Sequence, residues 1–550
     1  MLGLCATIVK LSAPAMPKNV NAEVAWNYHE VTKHSYTSVR TNPHFLDFGN
    51  QPLPFKIYPA LEPSRMPTEV RQTGVAALSA IAGSVPAQTN AAPDLEAVAQ
   101  LLYLSAGITR QRKYSGGEIY FRAAACTGAL YEVELYLVCR ELANLEAGVY
   151  HFAPAEFGLR RLRAGDYRSV LVEATGGESA IVHAPLTIVC TCTYWRNAWK
   201  YQARTYRHFG WDNGTLLANL LAVATALGLP AKVVCGFVDA TVNGLLDVDS
   251  QREVAFSLVA VGHDSGLSAQ TVPPSQTISR TLAEISPLGF ETVPLSRDEV
   301  DYPLMREMHA ASSLDSAEEV AAWRGRALLG STGMPDFPPP AGPVVRLQPL
   351  SDGEMPRDPI EQVILRRGSS RQFARTPISL AQLSTVLDRA TRGVPADFVA
   401  ANFEDPMGSQ LNHLYLIVHA VEGLDSGAYV FHRHRGVLEY LKHGNFRDQA
   451  GYLGLEQQLP ADAAVDIFFL ADLRPIFDRF GNRGYRTVQL EAGILGGKLY
   501  LAAYAQRLGA TGLTFYDDEV TRFFSPHAEG KSAIFLVAVG HSVKRRLLES

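Results

Sequence analysis

Three stretches of this chain carry residue types suited to chemistry, and they are divided unevenly along it. The first is Arg366-Arg367-Gly368-Ser369-Ser370-Arg371. Arginine binds phosphate oxygens through paired N–H groups, glycine lets backbone come close, and serine adds a hydroxyl donor. That is the composition of an anion clamp. A second basic cluster, Lys544-Arg545-Arg546, stands at the far end of the same half, so both clusters face one dianion if the two ends meet. Taken singly, they also fit a solvated helix end and a loose basic tail.

The second stretch is Arg122-Ala123-Ala124-Ala125-Cys126-Thr127-Gly128-Ala129-Leu130-Tyr131. Small residues and a glycine let a backbone lie flat against a ring; an ordinary tight turn is the plainer alternative. The third is Lys200-Tyr201, followed by Arg204, Tyr206 and Arg207. Lysine and tyrosine exchange protons when burial or a neighbouring cation lowers their pKa. The plainer alternative is a surface lysine beside a packed tyrosine.

An internal duplication connects these stretches. An offset of 279 pairs Gly148-Val149-Tyr150 with Gly427-Ala428-Tyr429, and Arg204, Tyr206 and Arg207 with Arg483, Tyr485 and Arg486. A shift of one residue then pairs Phe237-Val238-Asp239 with Phe515-Tyr516-Asp517, and Leu258 to His263 with Leu536 to His541. Two copies of one fold form a pseudo-dimer, and a site between them draws groups from both. The copies have kept different parts. The first has no basic residue near Ile81 to Val85, where the clamp would recur. The second has Glu404-Asp405-Pro406-Met407 in place of the small-residue turn, and Arg479-Phe480 in place of Lys200-Tyr201.

Other motifs carry less. No Gly-x-Gly-x-x-Gly follows a strand, and Gly530-Lys531-Ser532 lacks the first glycine of a P-loop and reads as a turn. No paired metal-ligand spacing occurs, so no metal is expected; His151, His263 and His541 read as structural or exposed. A net charge of -5 and pI near 6.3 argue against a nucleic-acid partner. No apolar run reaches the ~20 residues of a membrane span. Met1 to Ala15 makes a poor secretory leader, and Met16 is an alternative start. The six cysteines form no Cys-x-x-Cys pair, which suits reduced thiols and a cytoplasmic setting.

The elements that must position these residues follow from periodicity. Residues 94–107 have helical spacing, with Asp94 as N-cap and Gly107 as C-cap. Strands are expected at Glu132 to Val138, within Gly148 to Leu162, at Leu186 to Cys192 and at Phe256 to Val261, with a long apolar helix at Asn213 to Leu227. The second half repeats the order: a helix at Leu380 to Gly393, strands at Leu414 to Val418, Ala464 to Leu470 and Ile534 to Val539, and a helix at Leu490 to Leu508. This is an α+β pattern. The expected division is an N-terminal arm at 1–93, a first domain at 94–263, a linker at 264–356 and a second domain at 357–550. Residues 17–75 read as an extended arm with little regular structure, Ser316 to Leu328 as helical, and the proline-rich Pro335 to Pro343 as stiff linker.

At these residues both copies resemble the flavin-dependent nitroreductase superfamily, and within it the SagB-type dehydrogenases, over about 95–263 and 357–550. The resemblance implies two nitroreductase-like domains in one intrachain pseudo-dimer, monomeric or further assembled. It implies that Arg367, Ser369 and Arg371, joined by Lys544 or Arg545, hold the phosphate and ribityl chain of FMN. Cys126, Thr127 and Gly128 would lie over the flavin ring, and Lys200-Tyr201 would face the substrate. Ala125, Cys126 and Glu132 depart from that family's Pro, Ser and Pro, and a thiol is a weaker donor than a hydroxyl. One intact site and one empty reciprocal site are expected.

The function so implied is FMN-dependent oxidation of a peptide or small molecule, such as an azoline becoming an azole, with Lys200 and Tyr201 removing a proton. Two alternatives stay open. One is NAD(P)H-dependent reduction of nitro compounds or quinones. The other is a flavin- or partner-binding protein without turnover.

Overall fold

The computed structural model describes residues 18–114, 117–266, 285–328, 337–399 and 410–543. Lys544 and Arg545, Met1 to Ala15, and Glu404 to Met407 lie outside the described residues.

Each copy is built on an antiparallel sheet. Val133–Cys139 and Leu186–Thr193 are mostly apolar and buried along their length, the latter rich in β-branched residues, and they pair at the sheet centre. Gly148–Ala153, Gly158–Ala164 and Ser64–Arg65 extend it on one side, Glu253–Val261 and Ala231–Val234 on the other. The second sheet repeats this with His413–Val418 and Val465–Ala471 central, Gly427–His432, Val437–His443 and Val344–Arg346 on one side, and Ser532–Ser542 with Gly509–Leu513 and Phe373–Ala374 on the other. Tyr136 opposes Val189 in the first sheet just as Tyr415 opposes Phe468 in the second, so the duplication holds to the register.

The helix Leu95–Ala106 begins at Asp94, whose carboxylate accepts from the Ala97 amide at 2.8 Å, and ends at Gly107. The central helices are longer than the apolar pattern indicates: Thr205–Ala226 and Arg483–Ala505. Their first turns hold Arg207 and Arg483-Arg486, whose charge hides the helix from a hydrophobicity reading although all three are buried. The two helices pack directly on each other at a glycine crossing: a Cβ on Gly214 would stand 2.5 Å from Gly493 Cα. Gly214 and Gly493 are themselves duplicates at the offset of 279.

The buried arginines lock the copies together reciprocally. Arg204 and Arg207 of the first copy grip Asp517 of the second at 3.1 and 2.6 Å. Arg483 and Arg486 of the second grip Asp239 of the first, each at 2.7 Å. Both aspartates stand at the start of short helices, Asp239–Leu246 and Asp517–Phe524, where a negative charge is also favoured by the helix dipole.

The arm and the linker join this arrangement. Where extended chain was expected, the arm forms the helices Glu23–Val31 and Tyr36–Thr41. The linker forms Pro303–Ala311 and Ala317–Leu328, the latter as the spacing predicts. Arg207 donates to His29 O at 2.7 Å, and Arg486 to His309 O at 3.0 Å. The His34 amide donates to Asp517 at 2.8 Å, and the Leu314 amide to Asp239 at 3.0 Å. The repeat therefore reaches back into both segments, with weak sequence likeness and matching geometry. Among the described residues no helix is long and apolar enough to cross a membrane, and the cysteines are unpaired.

Candidate functional site

The clamp residues lie where the short helix Ile360–Arg366 of the second copy meets the first copy. Arg367 caps that helix and is buried. Its Nε donates to Ala123 O at 3.0 Å and an Nη to Arg122 O at 3.4 Å. Its guanidinium carbon sits 5.8 Å from the Tyr500 ring centroid. No carboxylate pairs with it among the described residues. Isolated buried charge is costly, so this guanidinium, with donors to spare, calls for an anion.

Arg110 of the first copy donates to Arg367 O at 3.0 Å and adds a second cation beside the clamp. The Ser369 hydroxyl stands 3.4 Å from the Tyr500 hydroxyl. Arg371 is exposed, makes no hydrogen bond or ion pair among the described residues, and lies close enough to Lys200 and Tyr201 to influence both. Val543, at the end of the closing strand, donates to Gln372 O at 3.0 Å, so the two ends of this half do meet. Lys544 and Arg545 themselves fall outside the described residues. The donor set of Arg367, Ser369 and Arg371 fits a phosphate.

The turn before Val133 is contorted. Gly128, Ala129 and Tyr131 have φ of 65°, 55° and 54°, and the last two are non-glycine residues in left-handed backbone. Such backbone persists only when its surroundings fix it. The Thr127 amide and hydroxyl both donate to Asp212 Oδ1, at 2.8 and 2.9 Å, and Thr215 donates to Ala125 O at 2.6 Å. The Cys126 sulfur lies 3.3 Å from Asp212 Oδ2 and 3.4 Å from Glu132 Oε2, and accepts from the Tyr131 amide at 3.0 Å.

The Cys126 and Thr127 side chains are therefore turned to Asp212, while Gly128 is exposed. Cys126, Tyr131 and Asp212 help line a cavity of about 20 Å³ behind the turn. Burial, then the Asp212 and Glu132 carboxylates, push the Cys126 thiol well up, so it is a protonated donor and not a reactive thiolate.

Lys200 and Tyr201 end the helix Tyr194–Tyr201 and are half-buried. A Cβ on Gly128 would stand 2.8 Å from the Tyr201 hydroxyl, so the turn and the pair share one wall. Their environments push them apart. Burial, helped by Arg371, lowers the Lys200 pKa. Burial, then Asp212, Cys126 and Glu132, raise that of Tyr201. The sequence reading took both as groups of lowered pKa. The structure keeps that direction for Lys200 and reverses it for Tyr201, because burial disfavours the charged form of each, the ammonium of one and the phenolate of the other, with Arg371 and the buried acids adding to it. Such a split suits a base and a neutral hydrogen-bond donor side by side.

Three residues here were not singled out in the sequence: Asp212, Arg110 and Tyr500. Asp212 stands one residue before the apolar run read as a helix, Asn213 to Leu227, so that reading left it out. It forms a buried acid pair with Glu132, the residue that stands where the pattern of the resembled family has proline. Burial raises both, most strongly Asp212, where the Glu132 charge adds to it.

The reciprocal place is different. The first copy offers the helix Ala77–Ala82 and Gly83, without cations. Opposite Tyr201, Phe480 is buried against the fully buried Trp323 of the linker, ring centroids 5.5 Å apart. The turn counterpart at 404–407 lies outside the described residues.

The profile of the Nitroreductase family matches residues 87–263 and 364–541. A protein of Methanocaldococcus jannaschii named as a nitroreductase is 26% identical over 168 residues, 30% of this chain and 80% of that protein. The microcin B17-processing protein McbC of Escherichia coli is 31% identical over 134 residues, 23% of this chain and 48% of its own length. The trifolitoxin-processing protein TfxB of Rhizobium leguminosarum bv. trifolii is 28% identical over 169 residues, 29% of this chain. The matches span less than half of the latter two, 48% and 44%. The crystal structure of an Anabaena variabilis protein described as a nitroreductase superimposes with a TM-score of 0.71 and 25% identity, covering 94% of this chain and 99% of that one.

Proposed function

Since this chain belongs to the nitroreductase family, we propose that it is a flavin-dependent oxidoreductase holding one FMN between its two halves. The observation that carries this is Arg367, a buried cation without an acid partner among the described residues, bonded to the first-copy backbone four residues or fewer before Cys126. Arg367, Ser369 and Arg371 would bind the phosphate. The backbone at Gly128 would lie along the ring. Trp323 against Phe480 supports a single site per chain.

The chemistry that FMN supplies when bound is acceptance of a hydride equivalent, later passed to dioxygen or another acceptor. The chain's own residues would handle the proton. Oxidising an azoline to an azole removes one hydrogen as hydride and one as a proton. Lys200, its pKa lowered, takes the proton at Nζ. Tyr201 stays protonated and orients the substrate through its hydroxyl. A peptide substrate is supported by the names of McbC and TfxB, both processing proteins of peptide products.

Anaerobic mixing tests this reading. A peptide carrying an azoline ring should bleach the bound flavin and emerge with an azole. Bleaching by NADPH and not by the peptide would favour a nitro- or quinone-reducing role and overturn the peptide substrate.

A further inference from the structure

The second copy gathers histidines that are scattered in sequence. His432 ends the strand Gly427–His432, and Glu439 lies on its hairpin partner Val437–His443. Val430 opposes Glu439 in the register, and His432 is two residues further, so both side chains leave the same face. His527 reaches that face from the segment after the helix Asp517–Phe524. His432 Nε2 is 2.7 Å and His527 Nε2 3.9 Å from the same oxygen, Glu439 Oε2. We propose that His432, Glu439 and His527 form a binding site for a divalent transition-metal ion of the zinc class, with one coordination position left open.

The donor set is two imidazoles and one carboxylate, which such ions favour. A tetrahedral zinc about 2.0–2.1 Å from each ligand separates neighbouring ligand atoms by roughly 3.3 Å. The observed 2.7 and 3.9 Å bracket that value, so small side-chain rotations suffice. The supporting contacts are those a metal site needs. The other Glu439 oxygen accepts from the Ala341 and Gly342 amides at 2.9 and 2.7 Å. His527 Nδ1 stands 2.9 Å from the Tyr415 hydroxyl, which leaves Nε2 for the ion.

Phe337 of the linker covers the cluster, its ring 4.9 Å from His432 and 5.6 Å from His527. A hydrogen bond between His432 and Glu439 alone would not explain why a second imidazole addresses the same oxygen. The first copy has Ala153 and Arg160 at the positions of His432 and Glu439, so the site is confined to the second. Bound metal would fasten the linker at Ala341-Gly342 to the second sheet.

The test uses the tag-free full chain, stripped with a chelator and titrated with zinc against a chromophoric competitor. One tight equivalent per chain is expected. Cobalt(II) in its place should give the intense visible absorption of a four-coordinate site without a thiolate charge-transfer band. His432→Ala, His527→Ala and Glu439→Gln should each weaken binding more than about tenfold. Absence of binding at micromolar zinc would overturn the proposal, as would affinity unchanged in all three variants. So would a thiolate band that Cys126→Ser removes, which would place the ion at Cys126, Glu132 and Asp212 instead. The cobalt spectrum of the unaltered chain stands even if a variant fails to fold.

Discussion

Arg367 Nε, in the second copy, donates to the carbonyl oxygen of Ala123, in the first, at 3.0 Å. The basic stretch and the small-residue stretch thus come from opposite halves and meet through hydrogen bonds from Arg367 to Ala123 O and Arg122 O. Neither half holds both. The two stretches that the uneven duplication left in different halves touch in the folded chain, and that contact supports the proposal of one flavin between the halves.

Lys200 is the proposed base, so removing its amine should stop proton transfer and leave the cofactor in place. Lys200→Ala should lose about 10²–10⁴-fold in turnover while retaining its flavin absorbance. Turnover equal to the unaltered protein would remove Lys200 from the mechanism.

Lys200 must be neutral to accept a proton. Its pKa is lowered by burial and by Arg371, so activity should rise with pH through a value below the ~10.4 of free lysine. Removing the neighbouring cation stabilises the ammonium and raises that pKa. With FMN saturating, Arg371→Gln should move the rising limb of the pH–rate profile to higher pH. A limb that stays in place or moves lower would contradict the assignment.

Asp517 and Asp239 each hold two buried arginines of the other copy. Asp517→Ala should destabilise the fold by about 3–5 kcal/mol, because two guanidiniums lose their partner. The urea midpoint reads this directly. The pH dependence follows. Asp239 is held at about 2 in the fold, against about 3.9 for an unperturbed aspartate. Burial alone would raise it, but Arg483 and Arg486 prevail. Its stabilisation is full above about 3.9 and is lost as pH falls through about 2. A Asp239→Asn protein should therefore lose stability at neutral pH and show a flatter acid limb; an unchanged acid profile would contradict this.

Much of this was legible in the sequence. The duplication survives in strand registers such as Tyr136–Val189 and Tyr415–Phe468, and Asp94 and Gly107 bound their helix as their chemistry requires. The first turns of the central helices were hidden because Arg207, Arg483 and Arg486 are charged yet buried, a pairing with distant aspartates that no local pattern reveals. The arm helix Glu23–Val31 was missed for a related reason: its apolar face is short, and it is held by hydrogen bonds from Arg207 to His29 O and from the Ala25 amide to Asn482 Oδ1. At the site, the residue types were readable but not their orientation. Only the fold shows Cys126 and Thr127 turned toward Asp212, and Tyr201 backed by acids.

Gly128 has φ of 65°, and a Cβ there would stand 2.8 Å from the Tyr201 hydroxyl. Gly128→Ala should weaken FMN binding through strain and through that clash. Adding Tyr201→Phe removes the clashing oxygen and should recover part of the affinity, a coupling that flavin titration of both variants measures. Purely additive effects would mean that the turn and Tyr201 do not share a wall.

The central claim is tested most directly by the flavin content of the purified chain. Saturated with FMN, freed of unbound flavin and then denatured, the protein should release one FMN per chain, and Arg367→Ala should release close to none. Two FMN per chain, or a colourless protein that refuses added FMN, would contradict the account.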